Sequence, residues 1–405
     1  MIDLEKLINP NTKKMKSSLI RELVASTKNI PGLISLAGGF PAPQSFPAKE
    51  LANLFKEIID TEGKDILQYG SSEGDDFLKK NLIKYENLTD TDNSEILITA
   101  GSTNAIYFYV KTLIEPGDVI ISEAPSFLGS LVAFDAINAD VVGIEMDENG
   151  MRTDLLKNKI KTLKENDKKI KFIYLIPEFQ NPTGITMSLE RRHEVIEIAR
   201  KNNIIILEDN PYGKLRYSGK KIKSLYDIAR NDYNDKKLVT LVKSFSKVLG
   251  PGLRVAFAAG DETIIKHMGS WNQKINVSAG CVDQRAVSKF IERGLLDKQI
   301  EKLKEFYAPL LKTMLDSLTK YMPTQIKWTH PEGGMFIWIT LPENISGTQL
   351  FNEAKKHKVS FIPGIKSYPP NINKDNEIRL NFSYPTKSEI EEGVKRLSEL
   401  IKEKI

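Results

Sequence analysis

The sequence is poor in the residues that build metal sites and disulfide frameworks. It contains one cysteine, Cys281, and four histidines among 405 residues. A single cysteine excludes an intramolecular disulfide, and the histidines lack the spacing that zinc ligands show. We therefore expect no metal site, and the scarcity of cysteine favours a reducing, cytoplasmic compartment.

Long apolar runs and blocks of one charge are also missing. No segment of about 18 apolar residues occurs, as a membrane-crossing helix would require. The N-terminus, MIDLEKLINP, mixes acidic with apolar residues and does not look like a signal peptide. The formal net charge is +5, and the lysines are interleaved with glutamates. We expect neither a membrane nor a nucleic acid as a partner, because nucleic-acid binding needs a concentrated basic surface.

The residues that are present describe a globular protein larger than one ordinary domain. Hydrophobic residues make up 40% of the chain and charged residues 27%. Between about residues 95 and 260 short apolar runs alternate with helical spacing, as in the segment after the expected N-cap Ser188. The runs lie at residues 96–98, 119–121, 141–144, 172–176, 204–207, 238–242 and 255–258. This rhythm predicts an α/β fold with a mainly parallel sheet.

The last third has a different pattern and predicts a compact α+β lobe. A helical pattern runs from about Asp283 to Leu318, and short apolar runs and a C-terminal helix follow it. The predicted organisation has three parts. Residues 1–45, with a helix over 17–28 and an extended segment, pack with the small domain and the active site. Residues 46–285 form the large domain, and residues 286–405 form the small one.

Polar residues follow four of the predicted strands. The segments are 99–104, 177–184, 208–212 and 243–247. In an open α/β sheet, ligands bind outside the carboxyl ends of the strands. Each segment alone has an ordinary alternative, such as a turn, a helix cap or a solvated lysine. Four of them on one sheet, in this order, favour a common binding site.

These segments carry a family resemblance. Asn181-Pro182-Thr183-Gly184, Asp209 with Tyr212, and Ser244-x-x-Lys247 followed by Arg254 resemble the signature of class I/II aminotransferases of pyridoxal-phosphate fold type I. The similarity extends along nearly the whole chain. It implies a large domain with a mainly parallel seven-stranded sheet, a smaller α+β domain and pyridoxal 5′-phosphate as the cofactor. The implied activity is transfer of an amino group from an L-amino acid to a 2-oxo acid.

The cofactor's chemistry suggests a role for each matching residue. Its aldehyde needs a primary amine, so Lys247 is expected to hold it as a Schiff base and later to move a proton at Cα. Asp209 matches the carboxylate that keeps the pyridine nitrogen protonated, with a helix cap as the alternative. Tyr212 and Asn181 match the donors to the ring's phenolic oxygen, although Tyr212 has core packing as its alternative.

The same resemblance implies the remaining cofactor contacts. Arg254, Ser244, Ser102, the Thr103 amide and Ser246 would surround the phosphate, with a surface position as the alternative for Arg254. Phe127 matches the aromatic residue that stacks on the ring, where most relatives have tyrosine or tryptophan. Tyr69 matches a tyrosine that reaches the phosphate of the neighbouring subunit, which implies a homodimer with shared active sites.

Substrate binding is predicted from both ends of the chain. Arg379 interrupts an apolar run and matches the arginine that binds the substrate's α-carboxylate, with an internal ion pair as the alternative. Asn181 and Gly39 join it in the family. Residues 17–23 and 34–41 resemble the 2-aminoadipate/kynurenine aminotransferase branch, whose N-terminal helix covers the site. Arg21 on that helix would pair with a distal carboxylate, or alternatively with Glu22 or Glu5.

The branch implies glutamate and 2-oxoglutarate as one substrate pair, with 2-aminoadipate, leucine or aromatic amino acids as candidates. A lyase or decarboxylase on the same fold is an alternative, although an arginine on the carboxylate favours cleavage of the Cα–H bond. An effector-sensing, aminotransferase-like regulator is a second alternative. It would need an added DNA-binding module, for which the residues before the first active-site segment leave no room.

Overall fold

The computed structural model describes residues 2–9, 12–13, 30–88 and 90–405. The predicted helix over 17–28, including Arg21, lies outside the described residues. The strands in the described residues are β1 Ile34–Ser35, β2 Ile96–Thr99, β3 Val119–Ala124, β4 Asp140–Asp147, β5 Gly150–Met151, β6 Ile170–Leu175, β7 Ile205–Asp209, β8 Val239–Ser244, β9 Ala256–Ala259, β10 Lys327–Trp328, β11 Phe336–Thr340, β12 Val359–Ser360, β13 Ile362–Pro363 and β14 Glu377–Asn381.

The α-helices of the same described residues cover both lobes. They are α1 Leu4–Leu7, α2 Ala48–Ile66, α3 Asp76–Glu86, α4 Ser102–Leu113, α5 Leu128–Asp135, α6 Thr153–Glu165, α7 Leu189–Asn202, α8 Leu225–Asn231, α9 Glu262–Asn276, α10 Cys281–Glu292, α11 Leu295–Tyr321, α12 Gly347–Ala354 and α13 Lys387–Lys402. The predicted N-cap of α7 is confirmed, because the Ser188 side chain accepts a hydrogen bond from the Arg191 amide. In the part of the chain that the structure describes, no helix combines the length and apolarity needed to cross a membrane.

The large sheet has the order β2-β9-β8-β7-β6-β3-β4-β5. Strands β8, β7, β6, β3 and β4 run parallel, whereas β9 is antiparallel to both of its neighbours. The expected count of seven strands needs correction, because β5 is an eighth. It pairs antiparallel with the end of β4 after a tight turn, and its two residues are too few to form an apolar run of their own.

The two faces of this sheet pack into different hydrophobic clusters. Ile173, Ile206 and Leu241 lie in one cluster, and the next residue along each strand lies in the other. Successive side chains of a strand point to opposite faces, so a sheet buried on both faces needs continuous apolar runs. The runs found in the sequence are therefore explained by helices on both sides.

The smaller lobe contains the antiparallel sheet β10-β11-β14-β13. The helical pattern predicted from about Asp283 to Leu318 is confirmed and corresponds to two helices, α10 and α11. Gly294 separates them with a left-handed backbone (φ 64°), a conformation that glycine adopts without steric cost. Strand β1 pairs in parallel with β12 and so joins the N-terminal segment to this lobe. The boundaries at residues 45 and 285 stay predictions.

Candidate functional site

Asp209 is the last residue of β7, near the centre of the large sheet. Its side chain is buried, and Oδ2 accepts a hydrogen bond of 2.8 Å from the Tyr174 hydroxyl. Oδ1 is also buried but has no partner among the described residues. Burial raises the pKa of Asp209 to about 6, and the Tyr174 bond acts in the opposite direction. The cap alternative is wrong for this residue, since its bond is to Tyr174 and no helix begins at Asp209.

Lys247 ends a short 3₁₀ turn that follows β8. Its Nζ donates a hydrogen bond of 3.0 Å to the Gly39 carbonyl and lies 5.8 Å from the centre of the Tyr212 ring. Burial, and then the charges of Arg379 and Arg254, lower the pKa of Lys247 to about 8. The amine is therefore much closer to its neutral, nucleophilic form at pH 7 than an ordinary lysine is.

Asn181 and Tyr212 lie together after β6 and β7. Asn181 Nδ2 is 3.5 Å from the Tyr212 hydroxyl, and the Tyr212 ring packs edge-on against Phe336. Burial raises the pKa of Tyr212 above its usual value, so the hydroxyl keeps its proton. Core packing alone does not account for Tyr212, because its hydroxyl faces a polar side chain of the site.

Arg379 lies on β14 between Trp338 of β11 and Ile362 of β13. Its guanidinium is buried and donates to the Ala37 carbonyl at 2.9 Å and, through Nη1, to Asn181 Oδ1. Nε has no partner, and no carboxylate of the described residues pairs with the side chain. Burial lowers the pKa of Arg379 to about 10. The internal ion pair is therefore wrong within the described chain, and a buried cation is left for an external anion.

Arg254 lies against the loop before α4. Its Nη2 donates to the Ala100 carbonyl at 3.0 Å, and a Cβ added to Gly101 would come within 2.1 Å of that nitrogen. Gly101 has φ 93° and is the N-cap of α4, whose first residues are Ser102 and Thr103. A helix N-terminus and an adjacent guanidinium form an anion site.

The two serines before Lys247 form a local pair. Ser244 Oγ donates to Ser246 Oγ at 2.9 Å and accepts from the Ser246 amide at 3.2 Å. Both side chains are half-buried at the end of β8. Strands β2 and β8 are both antiparallel to β9, so they point in the same direction. The serine hydroxyls after β8 therefore lie at the same edge of the sheet as the loop between β2 and α4. Their contact with a phosphate stays a prediction.

Phe127 and Tyr69 have different surroundings. Phe127 immediately precedes α5 and packs against the cluster that contains Tyr174 and Leu207. Tyr69 is 81% exposed, and its backbone amide donates a hydrogen bond to Gln68 Oε1. Its contact with the phosphate of a neighbouring subunit stays a prediction. Among the described residues, no group of three or more acidic, histidine or cysteine side chains has metal-binding geometry.

The sequence reasoning missed three residues of the site. Tyr174 of β6 donates to Asp209, Ser130 of α5 is hydrogen-bonded to Tyr174, and the centre of the Phe336 ring lies 4.4 Å from the Arg379 guanidinium. Tyr174 lies in the apolar run at residues 172–176, which predicts a buried strand. A buried tyrosine hydroxyl needs a hydrogen-bond partner, and this was the available signal.

Comparison with known proteins gives consistent matches over the whole chain. The family model "Aminotransferase class I and II" matches residues 34–397. The aromatic-amino-acid aminotransferase 1 of Thermococcus litoralis is 38% identical, over 100% of this chain and 96% of that protein.

Solved structures agree in fold. The kynurenine aminotransferase of Pyrococcus horikoshii, in complex with PMP, has a TM-score of 0.94 at 36% identity and covers 100% of this chain and 98% of its own. An α-aminoadipate aminotransferase of Thermus thermophilus, complexed with N-(5′-phosphopyridoxyl)-L-leucine, has a TM-score of 0.90 at 30% identity and covers 99% of both chains.

Proposed function

Because this chain belongs to the class I and II aminotransferases, we propose that Lys247 holds its cofactor and that Arg379 binds the α-carboxylate of an L-amino acid. The activity is amino-group transfer between an amino acid and a 2-oxo acid, and the cofactor is pyridoxal 5′-phosphate. One observation carries the assignment of roles. A buried arginine without an acidic partner among the described residues shares a site with a lysine whose pKa is about 8.

The residues present fit this cofactor. The unpartnered Asp209 Oδ1 supports a bond to the protonated ring nitrogen, and the Arg254 guanidinium beside α4 supports a contact to the phosphate. Ser102, Thr103, Ser244 and Ser246 would add amide and hydroxyl donors there. Tyr212 and Asn181 would donate to the ring oxygen, and Phe127 would cover one face of the ring.

The protein's own groups divide the work. When bound, the cofactor supplies an electron-withdrawing ring that stabilises negative charge developing at the substrate's Cα. Lys247 Nζ would first hold the cofactor and then, as a free amine, carry the proton from the substrate's Cα to the carbon of the cofactor that bears its aldehyde, for which a pKa near 8 is suited. Arg379 and Asn181 would fix the carboxylate, so that the Cα–H bond is the one that faces Lys247. This orientation favours transamination over loss of the carboxylate.

For the substrates, we propose glutamate and 2-oxoglutarate as one pair and 2-aminoadipate, leucine or an aromatic amino acid as the other donor. The relatives named for aromatic amino acids, kynurenine and aminoadipate support this range. Gly39 would contribute to the substrate pocket, since a Cβ there would meet Phe336 and approach Arg379. Arg21, outside the described residues, is the proposed partner of a distal carboxylate.

We also propose a homodimer with shared active sites, in the cytoplasm. Apolar side chains are exposed in the segments around Tyr69 and Val277, and a second subunit would bury them. They are Leu67, Tyr69, Phe77, Ile275 and Val277. The high exposure of Tyr69 suits a residue that acts in the neighbouring subunit. The single cysteine in the sequence supports a reducing compartment.

A panel of half-reactions tests the function. Protein loaded with pyridoxal 5′-phosphate is mixed with single amino acids, and both the cofactor absorbance and the 2-oxo acid are measured. Transamination requires that both change in equal amounts, whereas ammonia or a shortened amine would indicate a lyase or a decarboxylase. Lys247→Ala must lose the absorbance band of lysine-bound cofactor and all turnover. A Lys247→Arg variant, which keeps the charge but not the nucleophilic amine, must fail in the same way.

A further inference from the structure

Tyr174 forms a chain of buried hydroxyls that ends on Asp209. Its Oη donates to Asp209 Oδ2 at 2.8 Å and lies 2.8 Å from Ser130 Oγ. The tyrosine proton is committed to the carboxylate, so Ser130 must be the donor in the second bond. All three side chains are at most 2% exposed, so solvent has little access to replace either bond.

These hydrogen bonds make the two oxygens of the Asp209 carboxylate inequivalent. Oδ2 is held by Tyr174, whereas Oδ1 has no partner among the described residues. A carboxylate with one bonded oxygen cannot rotate freely, because rotation would break a charge-assisted bond in a region of low dielectric constant. Tyr174 therefore decides which oxygen is presented to a ligand.

We propose that Tyr174 and Ser130 are positioning residues, which orient the Asp209 carboxylate and keep it ionised for its bond to the protonated ring nitrogen of the cofactor. The inference rests on the proposed role of Asp209. It assigns a function to two residues that support the protonated cofactor ring. Neither residue lies at a strand end or in a sequence motif.

The tyrosine is rigidly placed for this purpose. Its residue pairs with Leu207 of β7 on one side and Ser122 of β3 on the other, and its ring packs edge-on against Phe134 at 5.3 Å. Burial and the Asp209 charge raise the pKa of Tyr174 well above its usual value, so it donates at every working pH. Ser130 lies one helical turn after Phe127, which couples the ring-stacking position to the same chain.

The other titratable groups around Asp209 do not replace this bond. Burial, and to a smaller extent the charge of Asp209, raise the pKa of Glu123 on β3 to about 8. Glu123 is therefore mainly protonated at neutral pH. Its Oε2 accepts from the Ile176 amide instead. Tyr212 is also influenced by Asp209, but its hydroxyl faces Asn181. Tyr174 is the residue that donates to Asp209 within the described chain.

The isosteric variant Tyr174→Phe keeps the ring packing and removes only the hydroxyl. Two readouts are independent of turnover. The affinity of the cofactor-free protein for pyridoxal 5′-phosphate is measured against pH, and the resonance of a ¹⁵N-labelled ring nitrogen is recorded in the loaded protein. Loss of one bond to a charged group should raise the pKa of Asp209, which is about 6 with the bond in place, by about one to two units. The acidic midpoint of the affinity profile should rise with it, whereas the alkaline part, which depends on Lys247, should stay unchanged. The nitrogen resonance should move from the pyridinium position toward that of a neutral ring.

Kinetics and controls separate positioning from structure. We expect kcat of Tyr174→Phe to fall roughly tenfold with little change in KM. Tyr226→Phe is the matched control, because it removes a buried hydroxyl that bonds to Thr91 rather than to Asp209, and it should leave both readouts unchanged. Ser130→Ala should shift them in the same direction by less, and it should add nothing to Tyr174→Phe if the bonds act in series.

Different outcomes test the role of Tyr174 and the proposed aminotransferase function. Wild-type protein that neither binds the cofactor nor transaminates would refute the proposed function itself. A folded Tyr174→Phe protein with the wild-type pH midpoint and nitrogen resonance would overturn the role of Tyr174. If circular dichroism shows that this variant is unfolded, Ser130→Ala alone decides, and an unshifted midpoint overturns the proposal.

Discussion

Arg379 Nη1 donates a hydrogen bond of 3.0 Å to Asn181 Oδ1, so the small-lobe sheet and the loop after β6 meet in one buried contact. The same guanidinium bonds to the carbonyl of Ala37 in the N-terminal segment. Three distant parts of the chain thus hold one cation in place. Since none of them supplies a negative charge, the site selects for an anionic group from outside.

Replacing Arg379 should weaken the binding of all amino-acid substrates to a similar extent. A charge-assisted bond in a partly closed site contributes about 1.5–3 kcal/mol, so Arg379→Ala should raise KM roughly ten- to a hundredfold for each substrate. Arg379→Lys keeps the charge but loses the planar pair of donors, so its KM values should lie between those of the wild-type protein and those of Arg379→Ala. Steady-state kinetics with at least one acidic and one apolar amino acid measure the effect. Unchanged KM values would place the carboxylate site elsewhere.

The pKa of Lys247 predicts how fast the cofactor-free protein takes up pyridoxal 5′-phosphate. The neutral amine is the reactive form, so the rate should rise about tenfold per pH unit up to about pH 8 and then level off. An ordinary lysine would show no plateau below about pH 10. Stopped-flow absorbance between about pH 6 and 10 distinguishes the two. In Arg379→Ala the plateau should begin at a higher pH, because one cation that lowers the pKa is gone.

Asp209→Asn should retain the cofactor but lose most of its activity. An amide cannot stabilise the proton on the ring nitrogen, so kcat should fall by several orders of magnitude. Cofactor content is measured by absorbance after gel filtration, and turnover by coupled assay. Asp232→Asn, an exchange of the same type in a residue that pairs with Lys223 at the surface, is the control. A near-normal kcat in Asp209→Asn would refute the electrostatic role.

Gly101 should be needed for cofactor affinity without touching the substrate. A methyl group there would collide with Arg254 Nη2 and would strain a backbone with φ 93°. Arg254 is exposed and its guanidinium can shift, so the main cost is the backbone strain, about 1–3 kcal/mol for a residue other than glycine in this region. If that strain displaces the loop and Arg254, Gly101→Ala should weaken the binding of pyridoxal 5′-phosphate about five- to a hundredfold. Gly252→Ala is the matched control, since no heavy atom lies within 4 Å of its added Cβ. Fluorescence titration of the cofactor-free proteins measures both, and equal affinities would exclude a role for this loop.

Arg21→Ala should change specificity more than rate. If Arg21 binds a distal carboxylate, kcat/KM for glutamate and 2-aminoadipate should fall roughly ten- to a hundredfold, whereas leucine is spared. Competition between an acidic and an apolar substrate gives the ratio directly. Equal losses for both classes would indicate a structural role for the N-terminal segment, and no loss would assign Arg21 to the solvent.

Residues next to strand ends were accessible from the sequence. Lys247, Asp209 and Asn181 each follow an apolar run, and a parallel sheet brings such ends to one edge whatever its strand order. The strand β5 and the break at Gly294 were missed for a local reason. A two-residue strand has no periodicity, and a left-handed glycine between two amphipathic helices hardly disturbs their pattern.

The amino-acid sequence by itself determined which side chains stand at the carboxyl edge, because strand direction and the following loop are local properties. Only the tertiary structure decided their partners. The Gly39 carbonyl at Lys247, Tyr174 at Asp209 and Asn181 at Arg379 depend on strand register and on how the two lobes pack. Those contacts join residues 35 to 208 positions apart, and such separations leave no periodic trace in a single sequence.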